Sequence, residues 1–146
     1  MISRSAIVAE AHAWLGTPFV HQASLKGVGC DCIGLLAGVG RACGHPDADR
    51  WDGDPRRFKY GRLPVAAMLR KAVAEYFDAI DLSQSLPGDV LLLTFLREPM
   101  HFGILTEKDP LQMIHSYQPI GRVVENGLDA KWRRRILGAY RIRGTA

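Results

Sequence analysis

The chain has 146 residues, 47% hydrophobic and 23% charged, with a formal net charge of +4. That size predicts one domain, residues 1–146, with its own hydrophobic core, and three cysteines, an odd number, argue against a disulfide framework. The modest positive charge comes without a nucleic-acid recognition motif, and no apolar run is long enough to span a membrane, so neither partner is expected.

In chain order, Glu10 and His12 interrupt the first apolar stretch, which argues against a signal peptide. The expectation is a protein made in the cytoplasm that reaches any external target by another route. Residues of about 4 to 15 read as a helix with Ile7, Ala11, Trp14 and Leu15 on one face, stopped by Gly16 and Pro18. From Thr17 to Gly29 the chain reads as loop or short extended structure. A second helix, Cys32 to Ala42, is apolar all round and therefore central, with Gly34, Gly38 and Gly40 allowing close approach by neighbours. Residues 44–61 turn polar around Trp51 and read as a long surface loop, a candidate binding loop. A third helix follows Pro64, with Val65, Met68, Leu69, Ala72, Val73, Tyr76 and Phe77 at helical spacing.

After the turn Leu86-Pro87-Gly88-Asp89 the pattern changes to strands at Val90–Phe95, His101–Thr106, Leu111–Ser116, Arg122–Glu125 and Ile136–Arg143. Helices followed by antiparallel strands make an α+β protein. The arginines at 133–135, 141 and 143 read as a solvated strand face or a docking edge for an acidic partner.

Chemistry concentrates at Gly29-Cys30-Asp31-Cys32-Ile33-Gly34. Asp31 is a natural helix N-cap, which puts Cys32 on the first helical turn. There the helix dipole and the unsatisfied N–H groups favour thiolate over thiol. A nucleophilic thiol needs a base, and the base needs a group to orient it. His101 opens one strand and His115 ends the next. If Leu105 pairs with Leu111 across the turn 106–110, His101 falls opposite His115, with Cβ atoms roughly 4.5–5.5 Å apart; a one-residue slip separates them onto opposite faces.

Elsewhere, Cys30 and Cys43 read as small buried hydrophobes, with Cys30 also a redox neighbour of Cys32. His12 reads as a surface or packing residue, and His21 as lining the site. A zinc set drawn from Cys30, Cys32, Cys43 and His45 is a minor alternative, since the paired ligands stand closer than structural zinc sites prefer. No metal or cofactor is expected.

Asp31-Cys32-Ile33-Gly34-Leu35, His101-Phe102-Gly103-Ile104 and Ile114-His115-Ser116 resemble, in that order, the three motifs of the NlpC/P60 cysteine peptidases. Pro87-Gly88-Asp89-Val90 resembles the turn before the first core strand of that family. Trp14-Leu15-Gly16-Thr17-Pro18-Phe19, with His21-Gln22-Ala23-Ser24, is similar to the phage-type branch, encoded among tail genes of phages and gene transfer agents. The resemblance implies a papain-like core with Cys32 as nucleophile, His101 as general base and His115 as orienting third residue. It implies hydrolysis of peptidoglycan stem peptides, often between D-γ-glutamyl and diaminopimelate or Lys residues. It also implies a virion or tail-particle component, carried with tail hub or baseplate proteins to the cell wall in the periplasm.

Relatives often have Tyr where this chain has Phe19. Oxyanion stabilisation then rests on backbone N–H groups such as that of Cys32, or on His21. Two other roles fit the same residues: a structural tail-tip plug or cap with little catalysis, and a related thiol amidase or acyltransferase.

Overall fold

Strand residues with apolar side chains on both faces organise the molecule. The computed structural model describes residues 1–51, 73–95 and 101–146. Among these, β3 (Phe77–Ile80), β4 (Val90–Leu93), β5 (His101–Lys108), β6 (Leu111–Tyr117), β7 (Arg122–Gly127) and β8 (Ile136–Ile142) form one antiparallel sheet in the order β3-β8-β4-β5-β6-β7. A separate two-stranded ribbon pairs β1 (Ser24–Leu25) with β2 (Gly29–Cys30). Helices α1 (Arg4–Ala13) and α2 (Cys32–Ala42) come before the sheet in sequence, and α2 packs on α1, β5 and β6. This is the α+β class expected, with all five predicted strands present. Among the described residues no helix is long and apolar enough to cross a membrane.

Ser3 starts α1, its hydroxyl accepting from the N–H of Ala6. Ile7, Ala11 and Trp14 are buried as the spacing requires, but the helix ends at Ala13 and Leu15 is left 43% exposed. In α2 every residue from Cys32 to Gly40 is buried, so this helix is the centre of the core. Its glycines are needed for space. A Cβ on Gly34 would lie 1.9 Å from the carbonyl oxygen of Ala23, and those on Gly38 and Gly40 would strike the indoles of Trp14 and Trp51.

Three expectations need correction. The stretch 44–61 is not simply a polar surface loop. Ala48–Trp51 is a short helix, and Trp51 is fully buried against the rings of His45 and Phe77, at 4.7 and 5.0 Å. One indole buried over Gly40 outweighs the polarity of its neighbours. The remainder of that loop, and the third helix up to Ala72, lie outside the described residues.

Residues 73–76 are helical, but Phe77 opens β3 instead of continuing the helix, pairing with Ile142. It is buried in the strand, as the helical reading also required, so apolar spacing alone did not separate the two.

The third correction concerns the β5–β6 register. Leu105 pairs with Met113, not Leu111, because Thr106-Glu107-Lys108 continues the strand and the loop shrinks to Asp109-Pro110. A bulge between Leu105 and Glu107 absorbs the mismatch. The shift is by two residues, which preserves side-chain parity. His101 and His115 therefore stay on one face, as diagonal neighbours instead of directly opposed ones.

The sheet buries both sides. Val90, Leu92, Phe102, Ile104 and Ile114 join the cluster under the helices. Leu91, Leu93, Leu105 and Met113 form a second cluster with Leu128 and Ala139 on the other face. Strand alternation produces this two-sided pattern.

Four of the five arginines of the C-terminal stretch, 133, 135, 141 and 143, make contacts within the chain. Arg141 Nη2 and Arg4 Nη1 reach the fully buried carboxylate of Asp89 at 3.0 and 2.8 Å. Arg143 pairs with Asp78 at 3.0 Å, Arg133 Nε donates to the carbonyl of Leu128, and Arg135 lies 4.9 Å over the ring of Phe95.

Candidate active site

Cys32 is the first residue of α2, and Asp31 is its N-cap, as the sequence predicted. The Asp31 carboxylate accepts from the N–H of Gly34 at 2.7 Å with one oxygen and from the N–H of Gln22 at 2.9 Å with the other. One buried side chain thus caps the helix and holds the preceding loop against it. Gly34 lets Ala23 approach closely enough for both bonds to form. Cys32 is 7% exposed.

The two histidines come from the strands on which α2 packs. His101 Nε2 and His115 Nδ1 are 2.7 Å apart, and both residues are fully buried. His115 Nε2 then meets Oδ1 of Asn126 at 2.5 Å, so an unbroken hydrogen-bonded line runs from β5 through β6 to β7. Burial, with the nearby His101, pushes His115 down to about 3, so it is a neutral imidazole at ordinary pH.

Aromatic rings surround the pair. Phe95 meets His101 edge-on at 5.3 Å, Trp132 meets His115 at 5.4 Å, and Tyr117 lies 5.1 Å from His115. All three rings are partly exposed; Phe95 and Trp132 pack against the second cluster, and Tyr117 stands two residues along β6 from His115.

Cys32 belongs to the cluster under the helices, so it shares with the imidazoles an end of the sheet, not a face. The alignment across that end is explicit. Leu93 pairs with His101, Tyr117 with Arg122, and Arg122 bridges Pro18, next to which Phe19 bridges Cys30. The hydroxyl of Ser116 donates to the carbonyl of Cys30 at 2.8 Å, tying β6 to the segment that leads into Cys32.

The remaining candidates fall into place around this frame. Phe19 is half-buried, and its N–H donates to the carbonyl of Gly121 at 2.8 Å. His21 is exposed on the loop before Cys32. Cys30 is fully buried, and that burial, with the charge of Asp31 adding, pushes its thiol up to about 11 against the opposing hydrogen bond from Ser116. At neutral pH it is a thiol, a poor nucleophile. Cys43 is half-buried and also raised, chiefly by burial. His12 is an exposed helix residue with Nδ1 on the carbonyl of Val8.

The zinc alternative is not assembled. His45 Nε2 faces the carbonyl of Arg143, its Nδ1 accepts from Asp47, and among the described residues no group of three His, Cys, Asp or Glu is placed to hold a metal ion.

Asn126 was not found from sequence. It lies just past the predicted end of its strand, and its position beside His115 depends on the β6–β7 register, which pairs His115 with Val124. Parity then puts Val124 and Asn126 on the face of His115. The aromatic surround was missed for the same reason, since Trp132 reaches it from the short helix Ala130–Arg133.

No protein-family model and no curated protein matches the chain. Solved structures do. The NlpC/p60 domain of the peptidoglycan hydrolase SagA is similar over 93% of this chain and 96% of its own, at 25% identity and a TM-score of 0.62. A protein similar to a lipoprotein, of the NLP/P60 family of Staphylococcus aureus, matches 95% of this chain at 20% identity and TM-score 0.63. The peptidoglycan hydrolase RipB of Mycobacterium tuberculosis matches 94% at 16% identity and TM-score 0.59. This chain spans 41% of the Staphylococcus protein and 63% of RipB. The fold is therefore that of NlpC/P60 domains, helices and antiparallel sheet alike.

Proposed function

We propose that residues 1–146 are a single NlpC/P60-like cysteine peptidase domain that hydrolyses peptide bonds in peptidoglycan stem peptides. The observation that carries this reading is the buried His101–His115 hydrogen bond of 2.7 Å, on strands against which the helix of Cys32 packs. Similarity to the NlpC/p60 domain of SagA, named as a peptidoglycan hydrolase, supports the substrate class.

In the proposed reaction His101 takes the proton of Cys32 at the end of the sheet, and the thiolate attacks the scissile carbonyl carbon. The C–N bond breaks as His101 returns that proton to the leaving amine. Water, deprotonated by His101, then hydrolyses the thioester and restores the thiol. His115 orients His101 throughout, the role a carboxylate plays in serine-type triads. Asp31 acts through structure, by fixing where α2 begins. Oxyanion stabilisation falls to backbone N–H groups at the start of α2, or to His21.

The finer reading, a peptidase of the phage-type branch carried on a tail tip to the periplasm, rests on the Trp14–Phe19 motif and its likeness to that branch. Phe19 specifically favours a second reading, a tail-tip plug with little catalysis, because a phenyl ring lacks the phenol common in relatives.

Digestion of purified peptidoglycan, with fragments identified by mass spectrometry, tests both. Wild-type protein releases stem-peptide fragments and Cys32→Ala releases none. Equal release by both proteins removes Cys32 from the mechanism. No release by wild type, together with no labelling of Cys32 by iodoacetamide at neutral pH, supports the plug.

A further inference from the structure

We infer that Asn126 is a positioning residue that locks both histidines in one tautomer each, leaving Nδ1 of His101 as the proton-accepting atom of the site. The amide fixes the direction of the whole line. Asn126 Nδ2 donates to the carbonyl of Gly127 at 3.1 Å, which orients the side chain so that Oδ1 faces His115. An amide oxygen only accepts, so His115 Nε2 carries a hydrogen. In a neutral imidazole the other nitrogen is then a bare acceptor.

That acceptor, His115 Nδ1, stands 2.7 Å from Nε2 of His101, which must therefore donate. Whenever His101 carries a lone pair it is therefore on Nδ1, the ring nitrogen of the pair that lies outside the line. Reversing any member reverses all of them. Without Asn126 the two imidazoles have two self-consistent arrangements, and in one of them the His101 lone pair points at His115 and away from any substrate.

The neutrality of His115 supports the scheme, since a protonated ring would present N–H groups to both neighbours. It also accounts for an amide here instead of a carboxylate. A carboxylate accepts as well but lets His115 take a second proton at higher pH than an amide does, and below that point Nδ1 becomes a donor facing a donor.

This inference rests on the proposed peptidase for its rate readout alone, so the experiment pairs rate with spectroscopy. Imidazole 15N–1H correlation spectra at pH 7.5 are recorded for wild type, Asn126→Leu and Asn126→Asp, alongside kcat and KM on muropeptides. In wild type, both rings are expected to be protonated at Nε2 and bare at Nδ1. In Asn126→Leu the pattern scrambles, and kcat falls about 10–100-fold, a part of the roughly 10²–10⁴-fold that general acid–base catalysis contributes, at unchanged KM. In Asn126→Asp the tautomers return, while the His115 titration moves up and carries the acid limb of the rate profile with it.

A wild-type His101 protonated at Nδ1, or an unchanged pattern in Asn126→Leu, overturns the inference. Correct tautomers in a protein that cleaves nothing uphold it while rejecting the peptidase. Because Asn126 is part-exposed near the end of an edge strand, both variants are expected to fold.

Discussion

Asp89 has no exposed surface, yet it sits in a turn, where a carboxylate would ordinarily be solvated. Its oxygens are satisfied there because Arg4, Arg141 and the N–H of Leu86 all donate to them. Asp89→Ala leaves two guanidiniums without their acceptor. Their side chains are 19% and 31% exposed and so partly rehydrate, and the expected loss is about 2–4 kcal/mol, read from urea unfolding. His115 gives a second prediction at this scale. Its pKa is near 6.5 unfolded and about 3 folded, so between those values the unfolded chain binds the extra proton. Stability from this group is therefore intact above about pH 6.5 and declines as pH falls toward 3. A His115→Gln variant, which cannot titrate, should show a flatter dependence of its urea midpoint across that window.

At the scale of elements, α2 is the most constrained. Gly34→Ala forces a methyl into the carbonyl of Ala23, where backbone meets backbone and neither can swing aside. The expected cost is about 1–3 kcal/mol, and the loop 20–23 should lose hydrogen-exchange protection with it. Gly44→Ala meets nothing within 4 Å and is disfavoured by its φ of +79° alone, about 1 kcal/mol. Thermal melts of the two variants should fall in that order.

This helix was also the part most legible in the sequence. An Asp before an apolar run fixed its start at Cys32, and the excess of glycine announced close neighbours. The histidines shared a face as expected, through a register different from the one assumed, because parity survives a shift of two where it fails for one. What stayed hidden were features that no local pattern encodes. The ladder of β3 on β8 claimed Phe77, the bulge at Thr106 set the β5–β6 offset, and Asn126 reached His115 across strands whose pairing depends on the turn at 118–121.

For the whole molecule, the sheet is a partition with a core on each side, and β4 runs through its middle. Leu92 faces the helices and Leu91 the opposite cluster. Truncation of either to Ala should cost about 2–5 kcal/mol, measured by chemical denaturation, although the two side chains touch different neighbours. Leu137, 52% exposed on an outer position of β8, should change stability by no more than about 0.5 kcal/mol when truncated. An apolar strand without alternation therefore signals double coverage, not a misplaced helix.

The bond from Ser116 to the carbonyl of Cys30 joins these halves at one point. Ser116 adjoins His115 in the chain, and Cys30 stands two residues before Cys32, so a single proton spans the seam between the layer of helices and the sheet. It works as an alignment pin. Sliding of one layer over the other would strain this contact together with the backbone bonds of Gly16, Thr17 and Phe19 to residues 121–123, so the segment leading into Cys32 is held in register with the strand of His115.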